Sequence, residues 1–111
     1  MDTVTTYRSI IERVLTDYAQ IPYAYGEIQI QTIFDREGNH YLLMLVGREG
    51  IRRVHGYLGH MDIYEGKTWI QRDGTEHGIA RDFIEAGVPK DHIVLAFRLP
   101  EMRQGTEFAV T

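Results

Sequence analysis

Acidic and imidazole side chains are concentrated in one part of the sequence, where a catalytic or metal site would have to lie. Asp73, Glu76 and His77 follow one another closely, and His60 and Asp62 stand a short distance upstream. Carboxylates and imidazoles are common ligands of divalent metals. One hypothesis is therefore a metal-dependent enzyme that uses Asp73, Glu76 and His60, although the spacing matches no established metal motif.

A structural role for the same residues is the interpretation that we favour. Asp73 or Thr75 can cap a following helix, because a short side-chain oxygen accepts a hydrogen bond from an unpaired N–H at the helix start. Glu76 and Asp82 then lie near the positive end of that helix or on its solvated face. We accordingly assign no catalytic residue, no metal ligand and no cofactor.

A second catalytic pattern is Glu65-Gly66-Lys67 with Asp62 upstream. Many nucleases use such a set, with the Glu and Lys along a strand beside another strand that carries the Asp. Here Gly66 indicates a turn, and the two acidic residues are only three positions apart. A hairpin turn with solvated charges is the better interpretation.

The histidines form no obvious set. His55 and His60 differ by an odd number of positions on one predicted strand, so they point to opposite faces and share no ligand unless a bulge intervenes. His40, His77 and His92 lie at predicted turn or helix edges, where we expect an exposed polar role. No Ser-His-Asp set or phosphate-binding loop can be assembled either. The sequence therefore favours a protein that is not an enzyme.

Three arginines lie close together around one predicted turn, namely Arg48, Arg52 and Arg53. They support a hypothesis of a weak DNA-binding module, against the simpler interpretation of solvated charges beside a hairpin. The chain carries 16 acidic and 12 basic residues and a net charge of -4. Tight, autonomous binding to DNA is disfavoured, because such affinity comes from neutralising phosphates with basic groups.

Two tyrosines stand beside a proline in a predicted loop. Tyr23 and Tyr25 follow Pro22 closely and are the aromatic residues that we most expect to be exposed. They suit contact with a partner protein and simple packing equally well.

Composition indicates a soluble, globular chain. The 111 residues, 43% of them hydrophobic, suffice for one domain over residues 1–111 with its own core. There is no cysteine, which excludes disulfides and thiolate metal clusters. The N-terminus lacks the pattern of a signal peptide, so we expect a cytoplasmic protein.

The elements that must position these residues follow from periodicity. A first amphipathic helix is predicted by Tyr7, Ile10, Ile11, Val14, Leu15 and Tyr18. Thr3 or Thr5 can cap its start, and Pro22 enforces its end. Alternation from Glu27 predicts a half-exposed strand. Further strands are expected over residues 41–46, 52–64 and 68–71, with turns at 36–39, 47–50 and 65–66 and with bulges at Gly56 or Gly59.

These short turns predict antiparallel neighbours, because parallel pairing needs a long crossover. A second helix after Thr75 should stop at Gly87 and Pro89, and residues 93–97 suit a fifth strand. Residues 108–110 are expected to tuck against the core. The predicted fold class is α+β, an antiparallel meander of about four to five strands with an N-terminal helix and a second helix after the fourth strand.

Four sequence blocks carry a resemblance to a known family: IPYAYGEI, HMDI to GKTWIQRDGTE, AGVPKDHIVLAF and TEFAV. Their order over almost the whole chain resembles the XisI family, the fdxN element excision controlling factors of cyanobacteria. The chain departs from the family pattern at His92, Ala96 and Gly105. None of these lies in the RDGTE block.

The resemblance implies a small α+β protein that acts with a partner, XisH. The two are needed when a dedicated site-specific recombinase excises a DNA element during heterocyst differentiation. XisH-like proteins resemble nucleases and XisI-like proteins do not, which implies a non-enzymatic accessory factor that reaches DNA indirectly. The candidate docking surface comprises Arg72, Asp73, Thr75, Glu76, Tyr23 and Tyr25. Sheet edges also make a homo-oligomer plausible.

Overall fold

A long first helix accounts for the N-terminal part of the fold. The computed structural model describes residues 3–21 and 27–111. Helix α1 spans Thr3–Ala19 and buries one face, formed by Tyr7, Ile11, Val14 and Leu15. The amphipathic helix is thus confirmed. Thr3 and Thr5 both lie inside it, so the prediction that one of them precedes the helix as its cap is wrong. The predictions for Pro22, Tyr23 and Tyr25 lie outside the described residues.

Four antiparallel strands follow in chain order and form the predicted meander. They are β1 (Glu27–Asp35), β2 (His40–Glu49), β3 (Arg52–Tyr64) and β4 (Lys67–Asp73). The turn predicted at 47–50 lies further along the chain, at Gly50 and Ile51, since β2 continues to Glu49. Gly47 has a φ of 155° and pairs with Ile28 on one side and Val54 on the other. It is a strand glycine at a close backbone approach rather than a turn residue.

The turn between β3 and β4 contains two residues. Glu65 and Gly66 have φ values of 51° and 74°, as a tight hairpin turn of type I′ requires at both central positions. Glu65 therefore lies at a turn and not along a strand. This confirms the hairpin interpretation of the Glu65-Gly66-Lys67 pattern.

A bulge changes which side chains of β3 face the helices. Gly59 pairs with Leu43, whereas Tyr57 pairs with the next residue of β2, so Leu58 is an extra residue in β3. The predicted bulge position at Gly59 adjoins it, while Gly56 pairs regularly. Because side chains alternate along a strand, one extra residue reverses the faces of everything beyond it.

The chain then crosses over to add a fifth strand. Helix α2 spans Ile79–Glu85, and a 3₁₀ turn over Lys90–His92 leads to β5, Ile93–Leu95. Strand β5 pairs with β4 in parallel, as the intervening helix permits. It ends two residues before the predicted boundary at 97, and Ala96 begins a turn. The predicted end of α2 is confirmed, with Gly87 at φ 113° just beyond it.

The C-terminal segment closes against β5. A short helix α3, Pro100–Arg103, precedes it. Ala109 bridges Val94 in parallel, and Phe108 packs against the core. The prediction that residues 108–110 tuck against the core is confirmed for these contacts.

The core lies between the helices and one face of the sheet. Helix residues Tyr7, Ile11, Leu15, Ile79 and Phe83 pack with Tyr41, Leu43, Met61, Ile63, Ile70, Ile93 and Leu95 of the strands. This confirms the predicted α+β class, with an N-terminal helix and a mostly antiparallel sheet. Within the part of the chain that the structure describes, no helix is both long and apolar enough to span a membrane.

Candidate functional site

The face of the sheet that points away from α1 and α2 carries both exposed apolar side chains and a cluster of histidine and aspartate side chains. Leu42 pairs with His60 and Val46 pairs with His55, so these four side chains share the face opposite the core. We call this surface the open sheet face. Its residues include Ile33, Leu42, Met44, Val46, His55, Tyr57, His60, Asp62, Tyr64 and Trp69.

Large apolar side chains are exposed on the open sheet face. Ile33, Tyr57 and Tyr64 are 49%, 52% and 57% exposed. The ring of Tyr64 lies edge-on to Trp69, with centroids 5.9 Å apart. Aromatic side chains with a polar surround are typical of protein interaction surfaces.

Arg103 and the C-terminal segment cover one end of the open sheet face. The guanidinium of Arg103 lies 5.9 Å from the centroid of Trp69. Its Nε donates to the carbonyl of Leu95 at 3.2 Å, and its Nη1 donates to that of Val110 at 3.1 Å. Val94 is fully buried under this segment. The exposed part of the face therefore lies over β1, β2 and β3.

His40, His60 and Asp62 converge on the open sheet face. His40 Nδ1 lies 2.6 Å and His60 Nε2 2.9 Å from the same oxygen, Oδ1 of Asp62. The two rings are edge-on, with centroids 6.3 Å apart. The hydrogen bond with Asp62, more than any other effect, raises the pKa of His40.

The bulge corrects the prediction that His55 and His60 point to opposite faces. The extra residue Leu58 lies between them, so both point away from the helices. They still share no ligand, because their partners Val46 and Leu42 are four residues apart on β2, which is about 13 Å along a strand.

Sequence reasoning missed His40 as a member of this cluster. His40 pairs with Asp62 across the β2–β3 hairpin. Counting outward from the turn at Gly50 and Ile51 would have placed them opposite each other, provided that one bulge residue was allowed for. The spacing of residues in the sequence does not show which residue of β3 is extra, so it could not place His40 opposite Asp62.

The RDGTE block forms the corner between β4 and α2. Asp73 Oδ1 accepts hydrogen bonds from the backbone N–H and hydroxyl of Thr75 at 2.9 and 2.5 Å. Its Oδ2 accepts the N–H of Ile79, the first residue of α2, at 2.7 Å. Gly74 N–H donates to the carbonyl of Leu58 at 2.8 Å. The prediction that Asp73 or Thr75 occupies the N-cap position is wrong, because that position is Gly78. The carboxylate of Asp73 nevertheless accepts the N–H of Ile79 from six residues upstream and so stabilises the start of α2.

The structure does not bring the hypothetical metal set Asp73, Glu76 and His60 together. Asp73 pairs with Gly59 on the helix side of the sheet, whereas the neighbouring pair, Arg72 with His60, lies on the open sheet face. Arg72 donates from Nε to the carbonyl of Tyr57 at 2.9 Å. Glu76 is exposed beyond the corner.

Two of the three candidate DNA-contacting arginines are adjacent. Arg48 and Arg53 are cross-strand partners at the end of the β2–β3 hairpin. Arg52 instead pairs with Glu49, its Nη2 lying 2.9 Å from the carboxylate. On the other side of β2, Glu27 is the partner of Arg48. The basic patch is therefore small and bordered by acidic side chains.

A cleft of about 430 Å³ separates α1 from α2. Tyr18 and Asp82 line it, and the Tyr18 hydroxyl donates to Oδ2 of Asp82 at 2.7 Å. Burial, followed by this hydrogen bond, raises the pKa of Tyr18 to about 12. Tyr18 is thus a protonated link between the helices rather than a nucleophile.

Comparison with known proteins gives consistent matches. The profile of the XisI family, described as XisI protein, matches residues 1–110. The crystal structure of a XisI-like protein from Anabaena variabilis is similar at 34% identity and a TM-score of 0.89, covering 97% of this chain and 99% of that one. The fdxN element excision controlling factor XisI from Anabaena variabilis is similar at 31% identity and a TM-score of 0.83, covering 99% and 100%. No curated protein matches the chain.

Proposed function

Since this chain belongs to the XisI family, we propose that it is an accessory factor that controls the excision or rearrangement of a DNA element. One observation carries the proposal. The chain is 31% identical to an fdxN element excision controlling factor, and the match covers 99% of one chain and 100% of the other. A match over the full length of both chains favours a shared role over a shared fold alone.

The proposed factor acts by binding a XisH-like, nuclease-fold partner and catalyses no reaction itself. The RDGTE corner supports this part of the proposal. Asp73, a member of the hypothetical metal set, already accepts three hydrogen bonds from Thr75 and Ile79. Both oxygens of this carboxylate are engaged with backbone and hydroxyl groups of the corner itself, which supports a structural role for Asp73.

The open sheet face is the surface that we assign to the partner. Ile33 and Tyr57 place exposed apolar area on β1 and β3, away from the core. Burying such area is the main favourable term in association, and aromatic anchors dominate many interfaces. Of the docking residues proposed from the sequence, Arg72 belongs to this face, whereas Asp73 and Thr75 bond to each other in the corner.

Direct contact with DNA is the second candidate function. The adjacency of Arg48 and Arg53 at the hairpin end favours it. Two such groups neutralise few phosphates, which suits a weak contact within a larger assembly rather than independent binding.

Co-expression tests the proposed function. The chain and the product of an adjacent XisH-like gene should elute together from a sizing column at micromolar concentration. Separate elution of two folded proteins would refute the proposal.

A further inference from the structure

Two histidines and an aspartate lie close together on the open sheet face, and their side chains are of the types that bind metal ions. The proposed function does not account for this cluster. We propose that His40, His60 and Asp62 bind one Zn²⁺ ion per chain. Two imidazoles and one carboxylate, with a fourth position open, are the ligand composition of several known zinc centres.

The distances suit an ion. The three donor atoms all lie within 4.8 Å of one another. At zinc–ligand bonds of 2.0–2.1 Å, the corners of a tetrahedron are about 3.3 Å apart. The observed separations from Asp62 Oδ1 are 2.6 Å to His40 and 2.9 Å to His60. Each of these two separations has to increase by less than about 1 Å to accommodate the ion. Small side-chain rotations can provide this increase.

The backbone holds the ligands in place. His40 and Asp62 are direct cross-strand partners on β2 and β3. His60 stands two residues before Asp62 on β3 and so points to the same face. Ligands on paired strands are positioned more precisely than ligands on loops.

The surroundings favour a cation. Asp35 on β1 is the cross-strand partner of His40 and adds a second negative charge nearby. Gln71 donates from Nε2 to Oδ2 of Asp62 at 3.2 Å. Such a bond orients a ligating carboxylate and leaves its other oxygen, Oδ1, for the ion.

The site is open on the solvent side. The side chains of His40 and His60 are 54% and 36% exposed, and that of Asp62 is 17% exposed. An ion can therefore enter from solvent, and water or a side chain of another protein can complete its coordination.

Metal titration tests this proposal on the full chain, without a histidine tag and after treatment with a chelator. Co²⁺ should give the visible absorption bands of a tetrahedral site, and Zn²⁺ should displace it at one ion per chain. His40→Ala should weaken Zn²⁺ affinity at least about tenfold, as should Asp62→Asn.

The matched control is His55→Ala, which removes another imidazole from the same face of β3 outside the cluster. Its affinity for Zn²⁺ should equal that of the wild type, and circular dichroism should show that all variants are folded. Absence of a tetrahedral Co²⁺ spectrum would overturn the proposal. So would folded His40→Ala and Asp62→Asn variants with unchanged Zn²⁺ affinity.

Discussion

The carboxylate of Asp73, at the end of β4, accepts the backbone N–H of Ile79, the first residue of α2, at 2.7 Å. The other oxygen of the same carboxylate holds Thr75. One side chain thus fixes the whole passage from sheet to helix. Asp73, which the sequence offered as a possible metal ligand, therefore has a structural role at the corner between β4 and α2.

Removing this carboxylate should destabilise the fold. Asp73→Ala leaves the N–H groups of Thr75 and Ile79 without their acceptor, and we expect a loss of about 1–2 kcal/mol in the free energy of unfolding. Urea denaturation measures it. Glu76→Ala, at an exposed position of the same block, is the control and should change stability by less than about 0.5 kcal/mol. Equal stabilities of the two variants would contradict the assigned role of Asp73.

Gly47 should tolerate no side chain. A Cβ there would lie 2.0 Å from the carbonyl oxygen of Glu27, and its φ of 155° disfavours other residues. Gly47→Ala should therefore lower the free energy of unfolding by roughly 1–3 kcal/mol or displace β1. Gly56→Ala is the control, because a Cβ at Gly56 meets no atom within 4 Å. Thermal unfolding compares the two, and a harmless Gly47→Ala would show that the strands are spaced differently.

Tyr18 should make stability fall in strongly alkaline solution. Its folded-state pKa rises from the ordinary 10.0 to about 12, so the unfolded chain releases the proton first. The resulting stabilisation is complete below pH 10 and is lost as the pH rises towards 12. Denaturation at stepped pH should show the advantage of wild type over Tyr18→Phe shrinking across this interval. A constant difference would contradict the raised pKa of Tyr18, which burial and then the hydrogen bond to Asp82 cause.

Duplex DNA should bind the isolated chain weakly and in a salt-sensitive manner. The net charge is -4, and only Arg48 and Arg53 lie side by side in the described hairpin. Fluorescence anisotropy should give a dissociation constant no tighter than about 10⁻⁶ M at physiological salt. Arg53→Ala should weaken binding more than Arg52→Ala, since Arg52 is paired with Glu49. Nanomolar affinity at that salt would indicate an autonomous DNA-binding protein.

Local patterns in the sequence predicted most of the fold. Strict alternation in β1 indicated which residues face the core, and Gly87 with Pro89 marked the end of α2. Each of these signals depends on a few neighbouring residues and on the conformations that they permit. These local conformations are kept in the folded protein because the tertiary contacts favour the same conformations.

The arrangement on the open sheet face could not be predicted in the same way. It depends on the extra residue Leu58, whose effect is to turn His55 to the same side as His60. The glycines at 56 and 59 indicated that this strand could contain a bulge, but which residue is extra depends on the pairing of β3 with β2. For the same reason His40, distant in sequence from Asp62, was not recognised as its neighbour.

Binding of a XisH-like partner to the open sheet face, as proposed above, can be tested with a matched pair of isoleucine substitutions. Ile33 lies on this face and is 49% exposed, whereas Ile51 is fully exposed at the tip of the β2–β3 turn. Isothermal titration calorimetry with the partner should show Ile33→Asp weakening binding at least about tenfold, or about 1.4 kcal/mol, and Ile51→Asp binding like wild type. Unchanged affinity of a folded Ile33→Asp variant would show that the partner binds elsewhere than on the open sheet face.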